Sequence, residues 1–387
     1  TPESNPGADG ASAVGAWTPV CVGNRLVSRA WPRLALGELR ITGSRIQVME
    51  GELRESFANA KQTWSHRSGI VLEIWDHKGE RGVGEASPLI GHSSELLSDC
   101  IAALTDIEQR ITGYDADGWP LCPWLASVAA ARVAWESALC DLLARSRGVS
   151  VATMLGEQQR AAIPRNAVVS SLAEARAAIE RGIRTLKVKV GRPEKEADEE
   201  LHMLRTLRHE LGQDFVLRLD ANGVFTAGEA HKRLAQYAEL HPQFVEQPIS
   251  VQSLATLGVC AVPWAADESL IEGAQVDRLL HAQGCVAWVL KPALLGLRRS
   301  RELALLAQSH GLGVVVTHLF DGPIGLAAAC ELALSLPSAP LACGLDRHLG
   351  LTSWPDVANP HHLRSDAEIT PSGGVGLGFG RAGVPWN

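Results

Sequence analysis

The sequence predicts an α/β chain in which a smaller region of antiparallel sheet and helix precedes a closed (β/α) barrel. Three observations predict it. After about residue 160, short apolar strand candidates alternate with amphipathic helices, the pattern of a parallel sheet with right-handed crossovers. Seven or eight such units fit into about 190 residues, a density that favours a closed barrel over an open doubly wound sheet. No G-x-G-x-x-G follows the first strand, which weighs against a dinucleotide-binding sheet.

The first ordered element is expected near Leu39, where LRITGSRIQV begins an apolar-rich strand, and residues 1–36 are expected to form a disordered tail. GIVLEIWD alternates Ile70, Leu72 and Ile74 against Val71, Glu73 and Trp75, and the turn HKGERG returns the chain into VGEASPL. Three strands on short connections predict a small antiparallel sheet. Helices are expected over SELLSDCIAALTDIEQRI and over ASVAAARVAWESALCDLLARSRG, where Val128, Ala131, Leu139 and Leu142 recur at helical spacing. Beyond, the strand candidates are AVVSS, TLKVKVG, FVLRLDANG, QFVEQP, PWAADES, VAWVLKPA and GVVVTHL, each followed by an amphipathic stretch. These boundaries give a first domain over 37–160 and a barrel over 161–349.

Composition narrows the function. Of 387 residues, 46% are hydrophobic and 20% charged, as expected of a globular protein, and the net charge of −7 argues against nucleic acid or an anionic membrane as partner. The eight cysteines include no C-x-x-C pair, so neither a zinc site nor a disulfide framework is expected. No run approaches the ~18 apolar residues of a membrane span, and the start TPESNPGADG lacks a basic and apolar leader. A cytoplasmic protein acting on a small molecule is the expectation.

Reactive side chains of barrel enzymes stand at the C-terminal ends of strands, and there the charges collect. Lys187 and Lys189 end TLKVKVG, Asp220 ends FVLRLD, Glu246 ends QFVE, Asp267 ends PWAAD and Lys291 ends VAWVLK, while His318 and Asp321 follow GVVVT. Because strand side chains alternate, Lys187 and Lys189 share one face, and so do Arg218 and Asp220. With Val188 and Val190 packed on helices, both ammonium groups face the interior. Three inward carboxylates on successive strands repel one another unless a cation joins them, and an all-oxygen set suits Mg²⁺, with Mn²⁺ as the alternative metal. Ion pairs with Lys187, Lys189, Lys291 and Arg218 are the other way to hold them. A free lysine titrates near ~10.4, too high for an efficient base at neutral pH, but neighbouring positive charge lowers it. Lysines facing a metal therefore suggest removal of a proton beside a substrate carboxylate, where the doubly charged anion needs such neighbours.

The ordered set K-V-K, R-L-D-A-N-G, V-E-Q-P, A-D-E-S-L and L-K-P-A resembles the enolase superfamily, from about Leu39 to the C-terminus. The resemblance implies a modified TIM (β/α)7β barrel under an α+β capping domain, which the C-terminal segment of about 350–387 completes. Within the superfamily, GVGEASPLIGHSSE, RLDANGVF, VLKPALLG, PIGL and CGLD are most similar to the o-succinylbenzoate synthase family, Mg²⁺-dependent dehydratases of menaquinone biosynthesis. That likeness makes Asp220, Glu246 and Asp267 the metal ligands and Lys189 the base. It also makes Lys187 the group that tunes Lys189, and Lys291 a cation across the substrate ring. It places Arg67, Arg218, Asn222 and the backbone at Gly322 and Gly344 around the substrate, with Ser65–Ser68 and Glu85–Ser94 closing over it. N-succinylamino acid racemases, dipeptide epimerases and muconate cycloisomerases share most of these residues and are the rival activities. A histidine base at His318 is disfavoured because Lys291 occupies the matching sixth-strand position. A non-catalytic barrel would be expected to have lost a ligand or a base, and THLFDGPIG after the seventh strand departs from the related pattern.

Overall fold

The computed structural model describes residues 31–35, 37–58, 63–156, 160–346, 360–362 and 365–379. Most of the expected N-terminal tail lies outside them. Its last stretch is packed: Trp31 and Leu34 are buried, and Trp119 donates its indole N–H to Pro32 O at 2.7 Å.

Strands β1 (Ile41–Ala58), β2 (Thr63–Asp76) and β3 (Arg81–Ala86) form the antiparallel sheet in sequence order. Where one helix was expected over SELLSDCIAALTDIEQRI there are two, α1 (Leu97–Leu104) and α2 (Ile107–Arg110). The break falls at Asp106, in the left-handed region at φ 50°. Carbonyls that a continuous helix would use find other donors, Ala102 O from Arg110 and Ala103 O from the Trp124 indole. Helix α3 (Ala129–Ser146) lies directly on β3. A Cβ at Gly82 or Gly84 would collide with the carbonyls of Ala138 and Ala134, so these two glycines let helix and sheet approach backbone to backbone. Asp141 of α3 accepts from Val83 N–H and Leu377 N–H, and Arg145 donates to Phe379 O at 2.6 Å. The C-terminal segment is thereby stapled to the capping sheet and its helix.

After α4 (Val151–Leu155) the barrel begins. The short strand β4 (Ile163–Pro164) precedes β5 (Asn166–Val168), β6 (Thr185–Lys189), β7 (Val216–Asp220), β8 (Val245–Glu246), β9 (Trp264–Ala266), β10 (Cys285–Leu290) and β11 (Gly313–Val316). Strands β5 to β11 pair in parallel, each with the next. The segment 341–344 closes the ring: Leu341 and Gly344 donate to Val314 O and Val316 O on one side, while Cys343 exchanges bonds with Pro164 O and Asn166 N–H on the other. The modified (β/α)7β barrel expected from the sequence is the observed architecture. Helices α5 (Leu172–Glu180), α6 (Ala197–Leu211), α7 (Ala227–Tyr237), α8 (Gly273–Leu280), α9 (Pro292–Leu295), α10 (Leu297–Ser309) and α11 (Pro323–Leu334) follow the strands, except that a short 3-10 turn, Leu254–Thr256, joins β8 to β9, and β12 (Glu368–Ile369) pairs with β4. Local sequence sets their starts: Thr226 and Glu229 form a reciprocal capping box on α7. The seven described cysteines form no disulfide, and among the described residues no helix is long and apolar enough to cross a membrane.

A buried pair beneath α11 ties stability to pH. Glu331 Oε1 lies 3.3 Å from His361 Nε2, both residues fully buried, and His361 Nδ1 meets Thr370 O at 3.0 Å. Nδ1 therefore carries the imidazole proton and Nε2 can accept one from a protonated Glu331. Burial raises Glu331 to about 8 and lowers His361 to about 4. The folded chain keeps the Glu331 proton that an unfolded chain releases near pH 4.5, so this group's contribution is full below 4.5 and is lost as pH rises towards 8. His361 works at the other end, its contribution being lost as pH falls from 6.5 to 4. Glu331→Gln is expected to remove the alkaline loss, up to about 4 kcal/mol between pH 5 and 8. Urea unfolding of both chains at the two pH values checks it; parallel losses would disprove the assignment.

Candidate active site

The strand register delivers the predicted charges to one level of the barrel. Lys187 pairs with Arg218, Lys189 with Asp220, and Asp220 with Glu246 across β6, β7 and β8. Val188 and Val190 are buried in the opposite direction, so both lysines of β6 point inward. Asp220, Glu246 and Asp267 are each 2–3% exposed.

Lysines hold these carboxylates. Lys187 Nζ lies 2.9 Å from Asp220 Oδ2 and 2.7 Å from Glu246 Oε1. Lys291 Nζ pairs with Asp267 and stands 3.9 Å from Glu268 Oε1. Burial opposes the charge of Lys187, but Asp220, Glu246 and Asp267 outweigh it and hold the ammonium above the ordinary lysine range. Burial is likewise overcome at Lys291 by Asp267, Glu268 and Glu246. Lys189 goes the other way. It opens to the barrel mouth, yet desolvation and the charges of Lys187 and Lys291 lower it, against the pull of Asp220. Three neighbouring lysines are thus divided into two fixed cations and one that gives up its proton more readily, the separation that marks acid and base partners.

Two loop residues fix the carboxylates. Gln247, buried and in the left-handed region at φ 39°, accepts from Asp267 N–H at 3.1 Å and Ser269 N–H at 3.3 Å. Its amide nitrogen donates to Ile249 O and Ser269 Oγ, so the ends of β8 and β9 move as one. Asn222 donates its backbone N–H to Asp220 Oδ1 at 3.1 Å and its amide to Glu268 Oε1 at 3.4 Å.

The donor set suits a hard divalent cation: three buried carboxylates on consecutive strands, two of them touching one ammonium. Burial together with Glu268 and Glu246 pushes the Asp267 carboxyl well above its usual range, so a further positive charge beside it would be favourable. Among the described residues no three His, Cys, Asp or Glu side chains close on a common point; Lys187 lies against two of the carboxylates and Lys291 against the third. Of the four cations weighed from the sequence as partners of these carboxylates, Lys187 and Lys291 pair with them, while Arg218 is bonded to Gln243 and Ala342.

Four expected substrate contacts are engaged elsewhere. Arg67 is 3% exposed and donates to the carbonyls of Ser68, Ser87, Pro88, Leu319 and Phe320. It clasps the capping domain to the loop after β11 and lies in strand β2, where a closing loop was expected. Arg218 sits one layer below Asp220, bonded to Gln243 Oε1 and Ala342 O. Gly322 N–H donates to Glu85, and Gly344 N–H to Val316 O. His318 and Asp321 form a turn, with Asp321 N–H donating to His318 Nδ1 at 3.3 Å. Burial lowers His318 to about 4 and raises Asp321 to about 6.

Sequence reasoning did not single out Gln247, Glu268 or Val168, and it placed Glu85 at the start of a segment closing over the substrate, whereas Glu85 lies in β3. Glu85, 1% exposed, accepts from the N–H groups of Gly322, Ile324 and Gly325 at the start of α11, a carboxylate from the capping sheet on a barrel helix N-terminus. Its place in GVGEASP gave no hint of a partner more than 230 residues away. Val168, the register partner of Lys187, is 61% exposed, an apolar surface at the mouth. A cavity of about 10 Å³ lies in the seam between the domains, lined by Glu85, Ser137, Pro292 and Asp321 and by none of the three carboxylates or the three lysines.

Against known proteins, a family profile described as enolase C-terminal domain-like matches residues 170–380. The chain is 30% identical over 311 residues to the o-succinylbenzoate synthase of Thermosynechococcus vestitus, covering 78% of this chain and 92% of that one. It is 28% identical over 362 residues to the L-Lys-D/L-Arg epimerase of Methylococcus capsulatus, covering 88% and 99%. A crystal structure of a dipeptide epimerase from Methylococcus capsulatus, complexed with Mg and L-Arg-D-Lys, superposes with a TM-score of 0.75 at 25% identity over 88% of this chain and 99% of that one.

Proposed function

The chain belongs to the enolase superfamily of enzymes, and from that premise we propose that it is an o-succinylbenzoate synthase, a carbon–oxygen lyase acting on 2-succinyl-6-hydroxy-2,4-cyclohexadiene-1-carboxylate. The observation that carries the reading is the placement of the lysines: Lys187 and Lys291 lie against the three carboxylates, while Lys189 opens to the barrel mouth. Burial and the neighbouring ammonium groups lower Lys189 from the ordinary lysine range, while the carboxylates raise Lys187 and Lys291.

Asp220, Glu246 and Asp267 are the residues that would hold Mg²⁺, the metal of the superposed dipeptide epimerase. When bound, the cation supplies positive charge against the substrate carboxylate. Neutral Lys189 Nζ takes the proton from the carbon bearing that carboxylate, and the C–H electron pair moves towards the carboxylate. The Lys291 ammonium, fixed by Asp267 and Glu268, faces the developing negative charge. Lys189 then returns its proton to the hydroxyl on the same face as the C–O bond breaks. Water leaves and the ring becomes aromatic, which makes this last step downhill.

Two features favour this dehydration over the rival reactions. A racemase uses its second lysine as a proton acceptor in one direction, whereas the dehydration needs Lys291 only as a cation, the form in which it lies beside Asp267 and Glu268. A dipeptide substrate carries an ammonium that needs an available carboxylate. Among the described residues on the side of β11 and the closing segment, Asp346 is already paired with Arg165 at 2.8 Å and Arg181 at 3.0 Å. The similarity to epimerases keeps a second reading, racemisation of N-succinylamino acids. The test supplies Mg²⁺ and the diene to the purified chain and follows the ultraviolet change as the diene is lost. Turnover is expected. No turnover, with deuterium incorporated at Cα of N-succinylamino acids instead, would replace the dehydratase by the racemase.

A further inference from the structure

The turn that follows Lys189 is held from the helix layer by a carboxylate outside the barrel interior. Glu200, on α6, is fully buried. Its Oε2 accepts from Gly191 N–H at 2.8 Å and Arg192 N–H at 2.9 Å. Its Oε1 accepts from Arg233 at 2.6 Å and from the Tyr237 hydroxyl at 2.5 Å. A carboxylate offers about four acceptor sites, and four donors fill them.

Both flanking loops of the site meet in this knot. Gly191 is in the left-handed region at φ 98°, and a Cβ there would strike Val224, two residues beyond Asn222. The Arg233 guanidinium lies 5.7 Å from the centre of the Phe225 ring, and Phe225 N–H donates to Pro248 O at 3.2 Å. Val190 N–H, between Lys189 and the turn, donates to Asp220 O at 2.8 Å. The ammonium of Lys189 sits on a flexible four-carbon stem, so the direction in which it leaves the strand depends on this backbone.

We infer that Glu200 is a positioning residue for Lys189: it fixes the Gly191–Arg192 turn from which Lys189 projects and, through Arg233, locks that turn to the loop that follows Asp220. The inference rests on Lys189 acting as the proton acceptor. A misplacement of about 1 Å at a reacting group can cost ~100-fold in rate, and charge-assisted bonds to a buried carboxylate are among the stronger ties a loop can have.

Glu200→Gln keeps the shape and removes the charge that gathers Arg233 and both N–H groups. Two readouts are taken on the folded chain. Lys189 is labelled with a small amine-acylating reagent and quantified by peptide mass spectrometry against Lys78, which is exposed in the capping domain. Turnover of the diene with Mg²⁺ gives kcat and KM. The expected result is a change of at least threefold in the Lys189-to-Lys78 labelling ratio. With it kcat should fall by about 10- to 100-fold while KM stays within twofold, a split that general loosening of the fold does not produce. Tyr237→Phe, which removes one donor, serves if Glu200→Gln does not fold and should move the ratio in the same direction. An unchanged labelling ratio in a folded variant overturns the inference, whatever the kcat. Should the parent chain fail to turn over the diene, the functional reading falls separately, and the labelling still decides the role of Glu200.

Discussion

A Lys189→Met chain is expected to lose about 10⁴-fold in kcat while keeping its fold and its affinity for Mg²⁺. Methionine matches the unbranched stem, so the packing of β6 is retained and only the amine is lost. The other two lysines cannot take over. Lys187 is enclosed by Asp220 and Glu246 at 2.9 and 2.7 Å, Lys291 is tied to Asp267 and Glu268, and both hold their protons more tightly than an ordinary lysine. Steady-state kinetics on the diene, with thermal melts and metal titration as controls, measure the loss. A decrease of less than tenfold would remove Lys189 from the mechanism. The same proton-transfer role predicts that the loss also appears with N-succinylamino acids, if those are the substrates.

Glu246→Gln is expected to weaken Mg²⁺ binding by on the order of 10³-fold and to abolish turnover at ordinary metal concentrations. Glutamine keeps an oxygen at nearly the same place, so the change isolates charge. Glu246 is the central carboxylate of the three, between Asp220 on β7 and Asp267 after β9, and one of the two that hold Lys187. Removing its charge should be felt by cation and lysine together. Calorimetric titration with Mg²⁺ reads the affinity directly and does not depend on knowing the substrate. An unchanged affinity would take Glu246 out of the metal site and leave it as the counter-ion of Lys187.

Strand parity was legible in the sequence because it is local. Successive side chains on a strand point to opposite faces, so K-V-K places two lysines inward without reference to any other part of the chain. Strand–helix alternation was legible for the same reason, and with it the barrel and the level at which its charges collect. The helix over 94–111 was misjudged where tertiary contacts intervened: the Trp124 indole takes a carbonyl that a longer helix would have used. Arg67 and Arg218 have the chemistry of anion-binding residues, and only the folded chain shows their donors engaged by backbone carbonyls and Gln243.

By itself the sequence determined the barrel, the three inward carboxylates and the lysines that face them, since all depend on period and order along the chain. The tertiary structure decided which carboxylates Lys187 and Lys291 hold, and that Lys189 opens to the barrel mouth. It also decided that Glu85 caps a helix some 240 residues away and that residues 341–344 close the ring. Coulombic and desolvation effects follow distance and burial in three dimensions, and neither can be read from spacing in the sequence.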